Sequence, residues 1–158
     1  MLIYLFFLLS PQVEITFCGT ETCKDYERLR PLVYPGTDLV LACYSITAPE
    51  TLRSLPEKWI PEVRHYLPNV PIILVGSWKE LRDDPHTLQK LQEKSQLPVT
   101  YEEGQAMAKE IGALSYMECS PRTARGMPEL LSAIAREIIK DREANPKESK
   151  FRHSCILI

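Results

Sequence analysis

Glycine is scarce in this chain. There are six in 158 residues, and none is followed by lysine. A G-x-x-x-x-G-K-[ST] loop, whose backbone N–H groups and lysine cradle phosphates, therefore cannot be found in the sequence. Charge of one sign is missing too. The net charge is −2 and the pI near 6.0, so there is no basic footprint for nucleic acid. No apolar run reaches the ~20 residues that span a bilayer. The longest, Met1–Leu9, has nine residues, no basic leader and no small-x-small cleavage site, so it reads as a buried strand. Repeats at solenoid spacing are absent. The five cysteines are odd in number and include no C-x-x-C pair. Cys18 and Cys23 lack histidines at zinc spacing, and Cys43 and Cys119 sit in apolar runs as small hydrophobes, which favours reduced thiols. His65, His86 and His153 stand apart from any nucleophile or ligand grouping, so surface roles are expected.

What is present suits one domain with a real core: 44% hydrophobic and 25% charged residues, with thirteen prolines marking short connections. Val13–Phe17 alternates and is β-branched, as a strand does. Leu39–Tyr44 and Pro71–Val75 are continuous apolar runs, the mark of strands buried on both faces, and Ser115–Cys119 is a weaker fourth. Thr47 and Glu50 are spaced as a capping box. Leu52, Leu55, Trp59, Val63 and Tyr66 follow at helical spacing, with Pro56 and Pro61 placed to kink or divide the helix. Thr100 and Glu103 repeat the cap signal, Asp83–Leu97 reads as a short surface helix, and Pro128 opens a last helix with the stripe Met127, Leu130, Ile134 and Ile138. Beyond Arg142 the chain turns polar and is expected to be a flexible tail, residues 143–158. Strands alternating with helices give an α/β fold with a mostly parallel sheet, and ligands in such folds sit at the carboxyl ends of the strands.

The loops at those ends carry recognisable text. Asp25-Tyr26-Glu27-Arg28-Leu29-Arg30-Pro31-Leu32 resembles the switch II helix of Rho-type small GTPases. Pro56-Glu57-Lys58-Trp59 and Asn69–Gly76 resemble the helix and strand that follow it. Asp83–Leu97 matches the extra helix of the Rho branch, and Tyr116-Met117-Glu118-Cys119-Ser120 leads into the loop that holds the guanine base. The resemblance runs from about Gln12 onward. It implies a Ras-like (P-loop NTPase) sheet in residues 12–142 after an unmatched apolar segment, residues 1–11, and it implies an N-terminally truncated, degenerate relative. The family's first strand, its phosphate loop and the Mg²⁺ contacts have no counterpart here, so the sheet is expected to be incomplete.

The departures fall on the nucleotide contacts. Where the family has D-T-A-G-Q-E, this chain has Gly19-Thr20-Glu21-Thr22-Cys23-Lys24, and Cys23 cannot orient a water as an amide does. N-K-x-D becomes Ser77-Trp78-Lys79-Glu80. Glu80 keeps a carboxylate able to accept from the guanine edge, one methylene further out, and Trp78 offers a face for stacking. S-A-K becomes Ser120-Pro121-Arg122, and Pro121 has no N–H for the guanine oxygen. Ser120 remains as the remnant of guanine binding. The blander reading makes Ser77, Glu80 and Ser120 turn residues at strand ends. No catalytic or metal-ligating residue and no cofactor is expected, with GTP or GDP and Mg²⁺ only if activity is retained.

The last four residues, Cys155-Ile156-Leu157-Ile158, fit the C-a-a-X lipidation pattern, with geranylgeranyl favoured over farnesyl by the large apolar last residue. From Lys140 to Arg152, five cations against three acids leave a net +2, so a single lipid would hold a membrane weakly. Three functional readings follow. One is a pseudo-GTPase binding module. It would present Asp25, Tyr26, Arg28, Leu29 and Arg30 to Rho exchange factors or the Rho dissociation inhibitor, lie in the cytoplasm, and reach the membrane surface through a prenyl group on Cys155. The second is a GTP-hydrolysing switch in Rho signalling to actin. The third is an unstable, non-functional fragment.

Overall fold

The computed structural model of the chain describes residues 4–10, 13–19, 29–144 and 152–158. Six strands form one sheet: β1 (Tyr4–Ser10), β2 (Val13–Gly19), β3 (Thr37–Ser45), β4 (Ile72–Ser77), β5 (Ser115–Glu118) and β6 (Arg152–Leu157). Their spatial order is β1-β2-β6-β3-β4-β5. β1 pairs antiparallel with β2, and every other pairing is parallel. The antiparallel hairpin follows from length. Ser10 pairs with Val13, and so tight a link permits only a hairpin, whereas a parallel neighbour needs a crossover of about a dozen residues.

β3 and β4 are apolar on consecutive residues because both their faces are covered. Val40, Ala42 and Tyr44 with Ile72 and Leu74 pack in a core that includes Leu52, Leu55, Val63 and Ile111. Leu39 and Leu41 with Ile73 and Val75 pack in a second core with Leu130, Ile134 and Ile138. Each such side chain contributes about 1.5–3 kcal/mol on burial. The helices that supply core residues to the faces are α1 (Pro49–Ser54), α2 (Ile60–Tyr66), α4 (Tyr101–Glu110) and α5 (Met127–Ala144), while α3 (Pro85–Glu93) contributes to neither core.

Local sequence explains most helix ends. Between α1 and α2 the backbone widens into a π-helical stretch, Leu55–Trp59, where Pro56 and Pro61 remove two backbone donors and divide the helix as expected. At α4 the expected box is made: Thr100 Oγ1 accepts from Glu103 N at 3.2 Å and Glu103 Oε2 from Thr100 N at 2.7 Å. Asp84 caps α3, accepting from Thr87 N at 2.8 Å. The Thr47–Glu50 box does not form. α1 begins after Ala48 with Pro49 in its first turn, and Pro49 has no N–H to satisfy. Thr47 Oγ1 is instead bonded to Ser45 Oγ at 3.0 Å.

The tail also departs from expectation. α5 continues to Ala144, and Arg152–Leu157 is a strand rather than flexible chain. β6 lies between β2 and β3. The reason is backbone pairing. Two neighbouring strands with no partner between them would leave a row of N–H and C=O groups on each, and the apolar Ile156, Leu157 and Ile158 are the residues that close the gap.

Candidate functional site

The loops after β4 and β5 meet at the carboxyl end of the sheet. Cys119 N donates to Gly76 O at 2.9 Å and Lys79 N to Cys119 O at 3.3 Å, so the two loops are tied by backbone. The β5 loop closes on itself, with Ser120 N donating to Arg125 O at 2.8 Å. It turns back through Gly126 at φ +80°, where a Cβ would collide with the carbonyl oxygen of Glu118. Trp78 opens the β4 loop in the left-handed region (φ 63°) and is 39% exposed. A bulky side chain there carries strain held by its surroundings.

Three polar side chains singled out from sequence sit together here, and they differ in whether they are occupied. Ser77 Oγ donates to Tyr44 O at 2.8 Å. Ser120 is fully buried, and its hydroxyl accepts from Thr123 N at 3.0 Å, so it serves the turn. Glu80 is different. Both its carboxylate oxygens are buried and neither has a hydrogen-bond partner. An acceptor pair in that state costs free energy unless a donor meets it. Of the three, Glu80 is the one whose bonding capacity remains free.

Beside the loops a cleft of about 630 Å³ opens against β5, bounded in part by Lys79, Tyr116, Glu118, Arg125 and Glu129. Its principal acid is already engaged: Arg82 Nη1 donates to Glu118 Oε2 at 2.9 Å and Tyr116 OH to Glu118 Oε1 at 2.6 Å. Burial alone would raise the Glu118 carboxyl, but these bonds outweigh it and hold it below the usual range. Tyr116 OH also meets Tyr44 OH at 2.6 Å, and burial leads the causes that raise the Tyr44 phenol to about 12. Gly104 admits this pair, since a Cβ there would collide with the Tyr116 hydroxyl.

The helix expected to face partners is only partly described, since Asp25, Tyr26 and Arg28 lie outside the described residues. Leu29 is 52% and Leu32 73% exposed. Arg30 is not. It is 4% exposed, begins a 3₁₀ turn (Arg30–Val33), and grips Glu62 of α2 with Nε at 3.0 Å and Nη2 at 2.7 Å. Its guanidinium also lies 5.0 Å from the Trp59 ring centroid. Tyr34 OH donates to the same carboxylate at 2.6 Å. The bonds from Arg30 lead the causes that lower the Glu62 carboxyl, against its partial burial. Arg30 is therefore an internal clamp, and its assignment to a partner surface is corrected. Sequence reasoning missed this cluster because its partner stands 32 residues away.

Cys155 lies in β6, paired in register with Phe17 on one side and Leu39 on the other. His65 and His86 are exposed. Among the described residues, no group of three or more His, Cys, Asp or Glu side chains is placed to hold a metal ion, and no helix is long and apolar enough to cross a membrane. Comparison with known protein families matches the Ras family over residues 8–140. That span covers most of the chain and includes β2 to β5 and the loops that carry Glu80 and Ser120. The chain belongs to the Ras family.

Proposed function

We propose that this chain is a Rho-like member of its family that works as a pseudo-GTPase: a binding module for Rho regulators, with impaired GTP binding and a tail lipidated at Cys155. The single observation that carries the reading is the central strand. A phosphate cradle belongs at the carboxyl end of that strand, and here the strand is Arg152–Leu157, which contains no glycine. No glycine anywhere in the chain is followed by lysine, so the negative charge of a triphosphate has no cradle to meet it.

The residues present fit a guanine nucleotide only at one edge. Glu80 supplies a buried, unpartnered acceptor pair suited to adjacent N–H donors of a base. Pro121 offers no donor to the base oxygen, at a cost of about 1–3 kcal/mol. Nothing on the phosphate side offsets that loss, and no hydrolytic step is assigned. The exposed Leu29 and Leu32 supply the apolar contact area of the module for an exchange factor or the dissociation inhibitor. The Glu80 carboxylate favours a second reading, a GTP-binding switch in Rho signalling that keeps its base contact.

Titration of the folded full chain with a fluorescent guanine nucleotide and Mg²⁺ separates the two. The pseudo-GTPase reading expects no saturable binding below about 1 mM, whereas an intact family site gives micromolar or tighter affinity. Micromolar binding that is lost in Glu80→Gln would establish the switch and reject the pseudo-GTPase.

A further inference from the structure

Three of the four residues of the lipidation motif, Cys155–Leu157, are also the carboxyl half of the central strand. β6 is bonded along both edges: Glu14–Gly19 of β2 pair with Arg152–Leu157, and β3 pairs with Ser154–Leu157 from the other side. Cys155 stands between Phe17 and Leu39, buried residues of the core beneath α5. The next position, Ile156, stands between Cys18 and Val40, which belong to the opposite core. Both faces of the sheet are thus packed at this level. Ile158 extends the pairing past the strand, donating to Leu41 O at 3.0 Å and accepting from Cys43 N at 2.7 Å, and is itself 8% exposed.

We propose that insertion of β6 and lipidation of Cys155 are mutually exclusive states of one segment, so that completion of the sheet decides whether the tail can be lipidated. The inference rests on the lipidation reading above. In that step the Cys155 thiolate forms a C–S bond to C1 of an isoprenyl diphosphate. The C1–O bond breaks, diphosphate leaves with the electron pair, and the thiol proton passes to solvent. A transferase must hold Cys155–Ile158 as a separate extended segment, and those backbone groups are already committed to β2 and β3. In the other direction, the register neighbours of Cys155, Phe17 and Leu39, belong to a core, and an isoprenyl chain added at that position would have to displace atoms from an interior filled to crystal-like density. Lipidation therefore withdraws the strand, and the edges of β2 and β3 open as a slot that accepts a parallel strand.

The test compares the native full chain with the isolated peptide of residues 152–158. Both are given the same geranylgeranyl transferase and geranylgeranyl diphosphate, and Cys155 modification is followed by mass spectrometry. The peptide is expected to react at least about tenfold faster, because the chain must first open locally. The lipidated full chain is expected to lose hydrogen-exchange protection at the Cys43 amide, which the unmodified chain bonds to Ile158. Equal rates overturn the inference, as does a lipidated chain whose Cys43 amide stays protected. A peptide that accepts no lipid overturns the lipidation reading and this inference with it.

Discussion

The two halves of the sheet are built on different plans. β3, β4 and β5 follow one another along the chain with helices between them, and every strand is delivered by the segment before it. The other half joins the two ends of the sequence. β1 and β2 form a hairpin from residues 4–19, and β6 arrives from residues 152–157 to bind it to β3. Local connections make the first half inexpensive in loop-closure entropy, while the second depends on pairing across more than a hundred residues. The half with local connections carries the loops with Glu80 and Ser120. On the pseudo-GTPase reading proposed above, that half keeps the base side, and the half assembled from the chain ends is the one that lacks a phosphate cradle.

The comparison can be broken most strongly at the helix that serves both halves. Ile134 of α5 is fully buried among Ile15 and Phe17 of one half and Leu41 and Ile73 of the other. Ile134→Ala is expected to cost about 4 kcal/mol in chemical denaturation, and to loosen exchange protection in β2 and β4 together. Arg30→Ala comes next, at about 3 kcal/mol, since it leaves the Glu62 carboxylate part-buried without its bidentate partner. A variant at this position that weakened partner binding with no loss of stability would restore Arg30 to the surface. Gly104→Ala is expected to cost about 2 kcal/mol by forcing the Tyr44–Tyr116 hydroxyl pair apart. This effect should stay within the β3–β5 half.

Acid provides a graded test. The Glu62 and Glu118 carboxyls are both held below their ordinary value of 4.5 in the folded chain. Each group contributes stability that is fully present above that value and is lost as pH falls from it through the lower folded one. A urea midpoint flat above about pH 5.5 and declining below about 4.5 is expected, and Glu62→Gln should flatten part of the decline. The smallest effect belongs to the surface. Leu32→Ser, at a side chain 73% exposed, should leave stability within about 0.5 kcal/mol and, on the binding-module reading proposed above, weaken capture of an exchange factor or the dissociation inhibitor.

Much of the locally connected half was legible from sequence. The uninterrupted apolar runs at Leu39–Tyr44 and Pro71–Val75 announce strands covered on both faces, and Thr100 with Glu103 marks a helix start three residues in advance. Pro56 and Pro61 give the division between α1 and α2 for the same reason: a missing N–H is visible in the text. The other half was legible only in its separate strands, Met1–Leu9 as a buried apolar run and Val13–Phe17 by its alternation, which the structure joins as a hairpin. β6 carries no local signal. Lys147, Lys150 and Arg152 read as solvated chain, and what makes 152–157 a strand is the pair of open ladders on β2 and β3. Arg30 was hidden likewise, because a cation in a helix-like stretch looks exposed until Glu62 is brought to it. At the candidate site, the strand pattern alone sets Ser77, Glu80 and Ser120 at the ends of β4 and β5, but only the folded loops show which of them is still unbonded.

The origin of the central strand is tested most directly by cross-strand nuclear Overhauser effects in the labelled full chain. Contacts from the Ile156 backbone to both Cys18 and Val40 are expected, since β6 pairs with both strands in that register. Sharp, random-coil resonances from Arg152 to Ile158, with no contact to either residue, would contradict the account and leave the sheet open at its middle.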